Sequence, residues 1–292
     1  MYFPVSDIVI NPLYPPLIAF CVSFFCSMGG ISGAFLLLPY QVSVLGITSP
    51  GVSATNHFFN VIATPSGLFR YIREKRFVWP LTWIIILGTI PGLIIGIVLR
   101  MTLFMDIGWF KVFVGLVLIY IGLRLVAKRL AKSKNTSASK QEISVTKVLH
   151  WSRKEFVFSY GDETYACSTP KLLLLSLIIG VIGGIYGVGG GAIIAPFLVA
   201  VFKFPIHVIG GSTLLATFIT SLWGSVIFRL IAPFYPGLHV SPDIKLGLLL
   251  GIGGVVGMYC GARCQKYVPA KIIERGLAIV TIITGVRYLL GG

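Results

Sequence analysis

Acidic residues are scarce in this sequence, and none of them lies deep within an apolar segment. The chain has 9 Asp and Glu residues against 24 Lys and Arg residues, and Asp106, Asp243 and Glu274 lie at the edges of apolar segments. We therefore predict neither a buried carboxylate relay for protons nor a carboxylate cage for sodium. The sequence also lacks the GxxxxGK[ST] loop that cradles nucleotide phosphates, which excludes a built-in ATPase of that class.

Residue groupings typical of metal sites and of nucleophilic catalysis are missing as well. The 5 cysteines include no CxxC pair, and no other cluster of metal ligands is found. We therefore expect no catalytic residues, no metal site and no cofactor.

Long apolar runs dominate what is present. Hydrophobic residues make up 56% of the 292 residues and charged residues only 11%, with a mean hydropathy of +0.92. This composition is typical of a polytopic membrane protein rather than of a soluble globular domain. The net charge of +15 does not indicate nucleic-acid binding, because the basic residues cluster at the ends of apolar segments, which is a membrane-topology pattern.

Two of the apolar runs are interrupted by glycines. The run Leu172–Phe202 contains Gly183–Gly191, in which six of nine residues are glycine, and each glycine inside a helix costs about 1 kcal/mol relative to alanine. A shorter copy, Met28–Pro39, interrupts the run Leu13–Gly46. In lipid, a broken helix is stable only where its freed backbone groups face protein, an ion or water. We therefore predict two broken, glycine-rich helical hairpins, and such paired breaks indicate a transport site.

The second half of the chain repeats the first. The spacing Gly88-x3-Gly92-x3-Gly96 recurs as Gly253-x3-Gly257-x3-Gly261, and both stripes predict close helix-packing faces. The repeat divides the chain into a first membrane repeat at 1–127, a basic insert at 128–170 and a second membrane repeat at 171–292.

The end of the basic insert has its own pattern. Residues Glu155–Cys167 contain two short β-type runs on either side of Gly161-Asp162, a typical turn pair. We interpret this pattern as a β-hairpin, with a loop lacking regular structure as the alternative.

Charge favours opposite orientations for the two repeats. If each broken segment enters and leaves on one side, the basic loops at 70–76, 128–171, 203–207 and 263–275 all lie in the cytoplasm, as the positive-inside rule requires. We therefore predict an all-α polytopic protein of the cytoplasmic membrane, with two inverted-topology repeats of about five helical segments each. Both termini are expected outside and the 128–170 insert inside.

A small anion is the ligand that paired glycine breaks would accept best. Each break leaves backbone N–H groups free and directs the positive end of a helix into the protein interior. The candidate donors come from both breaks: Gly30, Ser32, Gly33, Gly189, Gly190 and Gly191. Side chains near the start of the following helices complete the candidate set: Ser53, Thr55, Asn56, His57, Ser212 and Thr213.

Each of these assignments has a structural alternative. The glycines could serve close packing alone, and the hydroxyl and amide groups could cap helices or form hydrogen bonds between them. His57 could carry a proton or contact substrate, or be a packed, hydrogen-bonded imidazole. The predicted topology places Arg100 among the few basic residues on the outer side of the membrane.

These motifs resemble those of the sulfite exporter TauE/SafE family, also called the toluene sulfonate uptake permease family. The resemblance rests on Gly-Ile-Tyr-Gly-Val-Gly-Gly-Gly-Ala-Ile-Ile-Ala-Pro at 184–196, on Gly211-Ser212-Thr213 and on Gly253 to Gly261. The four-segment repeat and the basic insert also fit, so the resemblance covers nearly the whole chain. In the first copy, Ser32 and Gly33 stand where further glycines are usual in the family. The resemblance implies transport of sulfite, sulfonates or related sulfur oxyanions.

We therefore expect a secondary transporter, not an enzyme, that moves a small sulfur-containing anion across the membrane by alternating access. Its partners are that anion and the lipid bilayer, without nucleic acid. An anion channel with a glycine-lined filter is one alternative. A membrane-embedded enzyme acting on sulfur through Cys260 or Cys264 is another, although no base or carboxylate in that segment would activate these thiols. The GxxxG faces could also form a homodimer instead of an internal contact.

Overall fold

Two sets of five α-helices make up most of the described chain, one set on each side of the basic insert. The computed structural model describes residues 1–74, 77–132, 146–161 and 163–290. The first set comprises α1 (Tyr14–Met28), α2 (Ala34–Ser43), α3 (Gly51–Arg73), α4 (Trp79–Thr102) and α5 (Ile107–Lys132). The second set comprises α6 (Thr169–Tyr186), α7 (Gly190–Ala200), α8 (Ile206–Ile231), α9 (Ile244–Cys264) and α10 (Ala270–Leu289).

Some of the sequence-based predictions fall outside the described residues. These are Lys75 and Arg76 of the basic loop, residues 133–145 of the insert with its Ser/Thr/Asn-rich stretch, and Asp162 of the expected turn.

Several of the helices are long and apolar enough to cross a membrane. Within the described residues there are 5 such spans: Trp79–Thr102, Ile107–Arg124, Thr169–Tyr186, Val208–Phe234 and Ile244–Cys264. A stretch of about 20 apolar residues matches the thickness of the hydrocarbon core. The helix α3 has 23 residues but is less apolar, because it buries a row of polar side chains. The chain is therefore a multi-pass membrane protein that is mostly helical.

The two glycine stripes bring helices from different sets into close contact. A Cβ atom on Gly96 of α4 would lie 2.9 Å from the Cα atom of Gly184 in α6. A Cβ atom on Gly253 of α9 would lie 2.8 Å from the Cα atom of Pro16 in α1. No side chain fits at either distance, so the helix backbones touch. This confirms the packing role that the sequence predicts for both stripes.

The helix pairs join the two sets reciprocally. The helix α4 packs along α6, and its counterpart α9 packs along α1. The helix α3 contacts α9, and its counterpart α8 contacts α4. Counterparts also pair directly, α3 with α8 and α5 with α10. The helices of one set are therefore buried largely against those of the other set.

Five short strands lie outside the helical bundle, so the expectation of an all-α fold is incomplete. The strands β1 (Tyr2–Phe3) and β2 (Ile8–Val9) form an antiparallel N-terminal hairpin. The strands β3 (Thr146–Trp151), β4 (Glu155–Tyr160) and β5 (Glu163–Ser168) form an antiparallel sheet in chain order. The β4–β5 pair falls where the sequence predicts a hairpin. The strands β1 and β2 have 2 residues each, too few to show an alternating pattern.

The sheet of the insert is fixed to the bundle by aromatic side chains. The ring of Phe158 in β4 meets the ring of Phe204, just before α8, edge-on at 5.0 Å between centroids. Tyr165 of β5 stacks on Phe158 at 5.4 Å. Beside them, burial and, secondarily, the charge of Glu155 raise the pKa of the Cys167 thiol to about 11. Cys167 is therefore a neutral thiol at physiological pH.

One end of the bundle is closed by the N-terminal hairpin and by the loops before α3 and α9. The carboxylate of Asp243 accepts hydrogen bonds from the Ser6 hydroxyl at 2.8 Å and from the Leu246 N–H at 3.0 Å. The second of these bonds caps α9. The N–H of Gly51 donates to the carbonyl of His239 at 2.8 Å. The starts of α3 and α9 are therefore held at the same end of the molecule.

Candidate functional site

The first break, residues 29–33, separates α1 from α2 and lies against the start of α8. Gly30 has a φ of +69°, a left-handed conformation that favours glycine. A Cβ atom there would lie 2.8 Å from the Cα atom of Gly210. The Thr213 hydroxyl donates to the Gly30 carbonyl at 2.8 Å. The Ser32 hydroxyl accepts from the Ala34 N–H at 3.2 Å, so a side chain satisfies part of the N-terminus of α2.

The second break, residues 187–189, separates α6 from α7 and lies against the start of α3. Gly187 and Gly189 have φ values of +81° and +74°. A Cβ atom on Gly187 would lie 2.5 Å from the Cα atom of Ser53. Gly189 precedes α7 without any side-chain cap. Because the N–H groups of a first helical turn have no partner within the helix, the N-terminus of α7 presents backbone donors and a partial positive charge.

Hydroxyl groups surround the second break. A Cβ atom on Gly189 would lie 2.7 Å from the Ser221 Oγ and 2.9 Å from the Thr220 Oγ1, both on α8. A Cβ atom on Gly190 would lie 2.5 Å from the methyl group of Thr89 on α4, and one on Gly191 would lie 2.6 Å from the Thr217 Oγ1. The start of α7 is thus enclosed by hydroxyl-bearing side chains of the two neighbouring helices.

Asn60, midway along α3, connects the two breaks. Its side-chain oxygen accepts a short hydrogen bond from the Ser32 hydroxyl in the first break. Its side-chain nitrogen donates to the Val188 carbonyl in the second break at 2.9 Å and to the Ser221 hydroxyl at 3.0 Å. The side chains of Ser32, Asn60 and Ser221 are fully buried. Segments from both halves of the chain therefore meet at one buried polar centre.

Asn56 and His57 lie beside this centre on the same helix. The Asn56 side chain donates to the Ala34 carbonyl at 2.9 Å, and its oxygen accepts from Gln41 at 3.2 Å. The Nδ1 atom of His57 lies 3.3 Å from the Ser221 hydroxyl, and its Nε2 atom is buried without a hydrogen-bond partner. Unsatisfied buried polar atoms are uncommon in folded proteins, and this one packs against α8, since a Cβ atom on Gly224 would lie 2.8 Å from it.

Comparison with known proteins identifies the family. The model of the family described as "Sulfite exporter TauE/SafE" matches residues 16–288, which is nearly the whole chain. The chain belongs to the sulfite exporter TauE/SafE family. The sequence resemblance is therefore confirmed, and the glycine breaks described above lie within the matched region.

Two relatives from Bacillus subtilis (strain 168) are named as transporters. The "Probable membrane transporter protein YunE" is 24% identical over 280 residues, covering 91% of this chain and 93% of the relative. The "Probable membrane transporter protein YdhB" is 26% identical over 119 residues, covering 41% of this chain and 45% of the relative. No solved structure matches the chain at a comparable significance.

Some candidate residues of this TauE/SafE chain make hydrogen bonds away from the centre. The Thr55 hydroxyl donates to the Gly51 carbonyl at 2.8 Å and accepts from the Asp243 N–H at 2.8 Å. The Ser212 hydroxyl bonds the Val78 carbonyl at 3.1 Å and the Val78 N–H at 3.2 Å. These bonds match the structural alternative for Thr55 and Ser212, although their role in binding stays a prediction. Gly33 is a packing position, because a Cβ atom there would lie 3.0 Å from the Ser23 Cα.

Two side chains at the buried centre of this TauE/SafE chain escaped the sequence analysis. Asn60 and Ser221 could have been found from spacing, since Asn56, Asn60 and Thr64 recur every four residues on one face of α3. On α8, Thr213, Thr217 and Ser221 do the same. The burial of Arg100 at the end of α4 also escaped it, since that side chain is 0% exposed, while its place on the outer side of the membrane stays a prediction.

The centre is closed in this structure. Asn60, Ser221 and His57 are all 0% exposed, and the distances at Gly189 and Gly190 leave no room for a side chain. Within the described residues, no three His, Cys, Asp or Glu side chains are grouped to hold a metal ion. The arrangement offers hydroxyl, amide and backbone donors, which suit a small anion. An anion could reach these donors only if the helices of the two sets separate.

Proposed function

We propose that the protein is a secondary transporter that carries a small sulfur-containing anion, sulfite or an organosulfonate, by alternating access. The observation that carries the proposal is the junction at Asn60, where a broken helix from each half meets the other. Neutral hydrogen-bond donors suit an anion that must both bind and leave. At the centre, a buried side chain of opposite charge would hold the anion too tightly for release. Membership of the sulfite exporter family and relatives named as membrane transporters support the class of protein.

The reciprocal packing supports an inverted-repeat architecture. Each broken hairpin lies against the long helix that follows the break in the other half: Gly30 against α8 and Gly187 against α3. A two-fold axis between the halves would produce this exchange, and in the proposed inverted topology that axis lies in the membrane plane. In the proposed topology, the N-terminal hairpin and the C-terminus lie outside and the insert with β3–β5 lies in the cytoplasm. Rocking of one half against the other would expose the centre to each side in turn.

Coupling of transport to the proton gradient or to the membrane potential is proposed by analogy with the family. His57 is the side chain best placed for a proton, because its Nε2 atom has no partner and its Nδ1 atom meets Ser221. If His57 is protonated in the cycle, His57→Gln should uncouple flux from an imposed pH gradient. Unchanged dependence on the gradient would leave the imidazole a packing group.

The test is radiolabelled sulfite flux into proteoliposomes, with empty liposomes as the control. Taurine, sulfoacetate, sulfate and thiosulfate serve as competitors. Saturable, protein-dependent flux is expected, and the ranking of the competitors defines the substrate class. Absence of flux under both a proton gradient and a membrane potential would contradict sulfite as the substrate. Flux that does not saturate would favour an anion channel.

A further inference from the structure

Arg100, in the last turn of α4, is a buried cation without a carboxylate partner. Its side chain is 0% exposed. In the parts of the chain that the structure describes, no Asp or Glu lies within ion-pair distance of Arg100. The ion pair within these parts joins Arg70 to Glu74, at the end of α3. A charged side chain at membrane depth is costly and is usually paired with an opposite charge or with carbonyl groups. Arg100 therefore lacks the opposite charge that would compensate for its burial.

The contacts of Arg100 leave part of its guanidinium unused. The Nε atom donates to the Ser53 hydroxyl at 3.4 Å, and Nη1 donates to the Phe104 carbonyl. The ring of Phe110 lies under the guanidinium, 4.0 Å from its Cζ atom. The Nη2 atom is buried and has no hydrogen-bond partner. Since arginine has five N–H donors in a planar fork, at least the two on Nη2 remain free for an acceptor.

Arg100 also lies next to the second break. Its partner Ser53 is the residue against which Gly187 packs, with Cβ-to-Cα spacing of 2.5 Å at Gly187. The chain of contacts Arg100–Ser53–Gly187 thus runs from the end of α4 to the left-handed glycines before α7. This end of the bundle is the one covered by the N-terminal hairpin, which the proposed topology places outside.

The corresponding position in the second half is neutral and satisfied. Arg100 follows Gly88 by twelve residues, and Gln265 follows the matching Gly253 by the same number. The Gln265 side chain donates to the Met28 carbonyl at 2.7 Å and accepts from the Tyr71 hydroxyl at 2.9 Å. Packing at this position of the repeat does not require a cation, because in the second half the neutral amide of Gln265 occupies it with both of its groups hydrogen-bonded.

We propose that Arg100, with Ser53, is an anion-binding subsite on the outer side of the transport path. Resting on the proposed function, the inference assigns the Nη2 donors to the charged oxygens of a sulfite ion or sulfonate group. Such charge-assisted bonds are short and strong, and the two N–H groups of Nη2 can each donate to an oxygen of the anion. The anion would be held there before it reaches the donors at the start of α7.

The test is equilibrium binding of radiolabelled sulfite to the purified full-length protein. The variants are Arg100→Met, which removes the charge and keeps the apolar stem, and Arg100→Lys, which keeps the charge without the fork. Arg229→Met is the matched control, because Arg229 is an exposed cation in the last turn of α8. Helix content by circular dichroism and a single size-exclusion peak establish that each variant is folded.

We expect Arg100→Met to raise the Kd for sulfite by about tenfold to a hundredfold, the usual effect of losing a hydrogen bond to a charged group. Arg100→Lys should give an intermediate Kd, and Arg229→Met should keep the wild-type value. A folded Arg100→Met protein with the wild-type Kd would overturn the subsite and leave the transporter standing. If the wild-type protein binds no sulfur oxyanion, the proposed function fails first.

A second measurement needs no substitution, in case Arg100→Met does not fold. Phenylglyoxal modifies accessible arginines, and peptide mass spectrometry reports the modification at each one. In wild-type proteoliposomes we expect Arg100 to react slowly and saturating sulfite to protect it, while Arg229 reacts with or without sulfite. Failure of Arg100 to react at all, or reaction at the same rate with sulfite, would contradict an anion site reached from water.

Discussion

The two breaks occupy matching places in the two halves but satisfy their backbone groups in different ways. In the first break, Ser32 supplies a hydroxyl that caps the Ala34 N–H and also bonds Asn60. In the second break, glycines stand at these places and Gly189 offers no side-chain cap to α7. In the first break a side chain of the break itself therefore satisfies a backbone N–H group. In the second break the backbone N–H groups at the start of α7 have no such side-chain partner.

The ends of α4 and α9 differ in the same sense. The second break has the buried cation Arg100 nearby, and the first has the neutral amide Gln265, which is engaged with Met28 and Tyr71. Donors and charge are both concentrated around the second break. We infer that the two breaks have divided their labour: the second break, with side chains of both halves around it, holds most of the anion ligands, and the first break is its structural counterpart.

The largest effect should come from filling the second break. Gly190→Leu should reduce sulfite flux to the level of empty liposomes, because even a Cβ atom there would lie 2.5 Å from the Thr89 methyl group. The measurement is initial uptake into proteoliposomes at matched protein content. Gly276→Leu is the control, since Gly276 is an exposed helical glycine with no neighbour within 4 Å. Normal flux through folded Gly190→Leu protein would remove the second break from the site.

The second-largest effect should come from removing Asn60, which links the two breaks. Asn60→Ala should lower the initial rate of flux by about tenfold or more, because each buried group left without its partner costs about 1–3 kcal/mol. Uptake rate and thermal stability in detergent are measured together. Asn11→Ala, at an exposed amide near the N-terminus, is the matched control. A lower melting temperature with an unchanged rate would make Asn60 a purely structural residue.

The neutral counterpart of Arg100 should affect stability and not affinity. Gln265→Met should lower the melting temperature, because the Met28 carbonyl and the Tyr71 hydroxyl lose a buried partner. The Kd for sulfite should stay near the wild-type value, in contrast to the change expected for Arg100→Met. Parallel binding isotherms for the two variants measure this difference. Equal losses of affinity would show that both halves contact the anion alike.

The smallest effect should follow from making the first break more like the second. Ser32→Gly removes the hydroxyl that bonds both the Ala34 N–H and the Asn60 oxygen, which should cost about 1–3 kcal/mol of stability because these buried groups lose a partner. Flux should fall less than in Asn60→Ala, because Asn60 keeps its bonds to Val188 and Ser221 and the donors at α7 are untouched. Thermal unfolding and uptake of the same preparation test this expectation. A loss of flux as large as that of Gly190→Leu would refute the asymmetry between the breaks.

The sequence predicted the features that depend on local chemistry. Runs of glycine ended α1 and α6 because glycine is costly in a helix, and the pattern of Glu155–Cys167 placed β4 and β5. The N-terminal strands and β3 were missed, since they are too short or too irregular to show a period. The two GxxxGxxxG stripes predicted backbone contact but not which helices would meet, because that choice depends on the whole packing.

The buried centre depended on tertiary contacts that composition does not encode. Asn60 lies on the polar face that Asn56 and Thr64 mark, but its bonds to Ser32 and Val188 join segments far apart in the chain. Arg100 is near the end of an apolar segment, where a basic side chain ordinarily extends toward water. It is buried because Phe110 and the Phe104 carbonyl fold over it, which no spacing rule predicts.

The central claim, that the breaks of the two halves form one saturable anion site used alternately from each side, is tested most directly by counterflow. Proteoliposomes are loaded with concentrated unlabelled sulfite and diluted into a trace of labelled sulfite. An alternating-access carrier should accumulate label transiently above its equilibrium level, and Gly190→Leu should abolish this overshoot. A monotonic approach to equilibrium by functional wild-type protein, at any loading concentration, would contradict the account and indicate a channel.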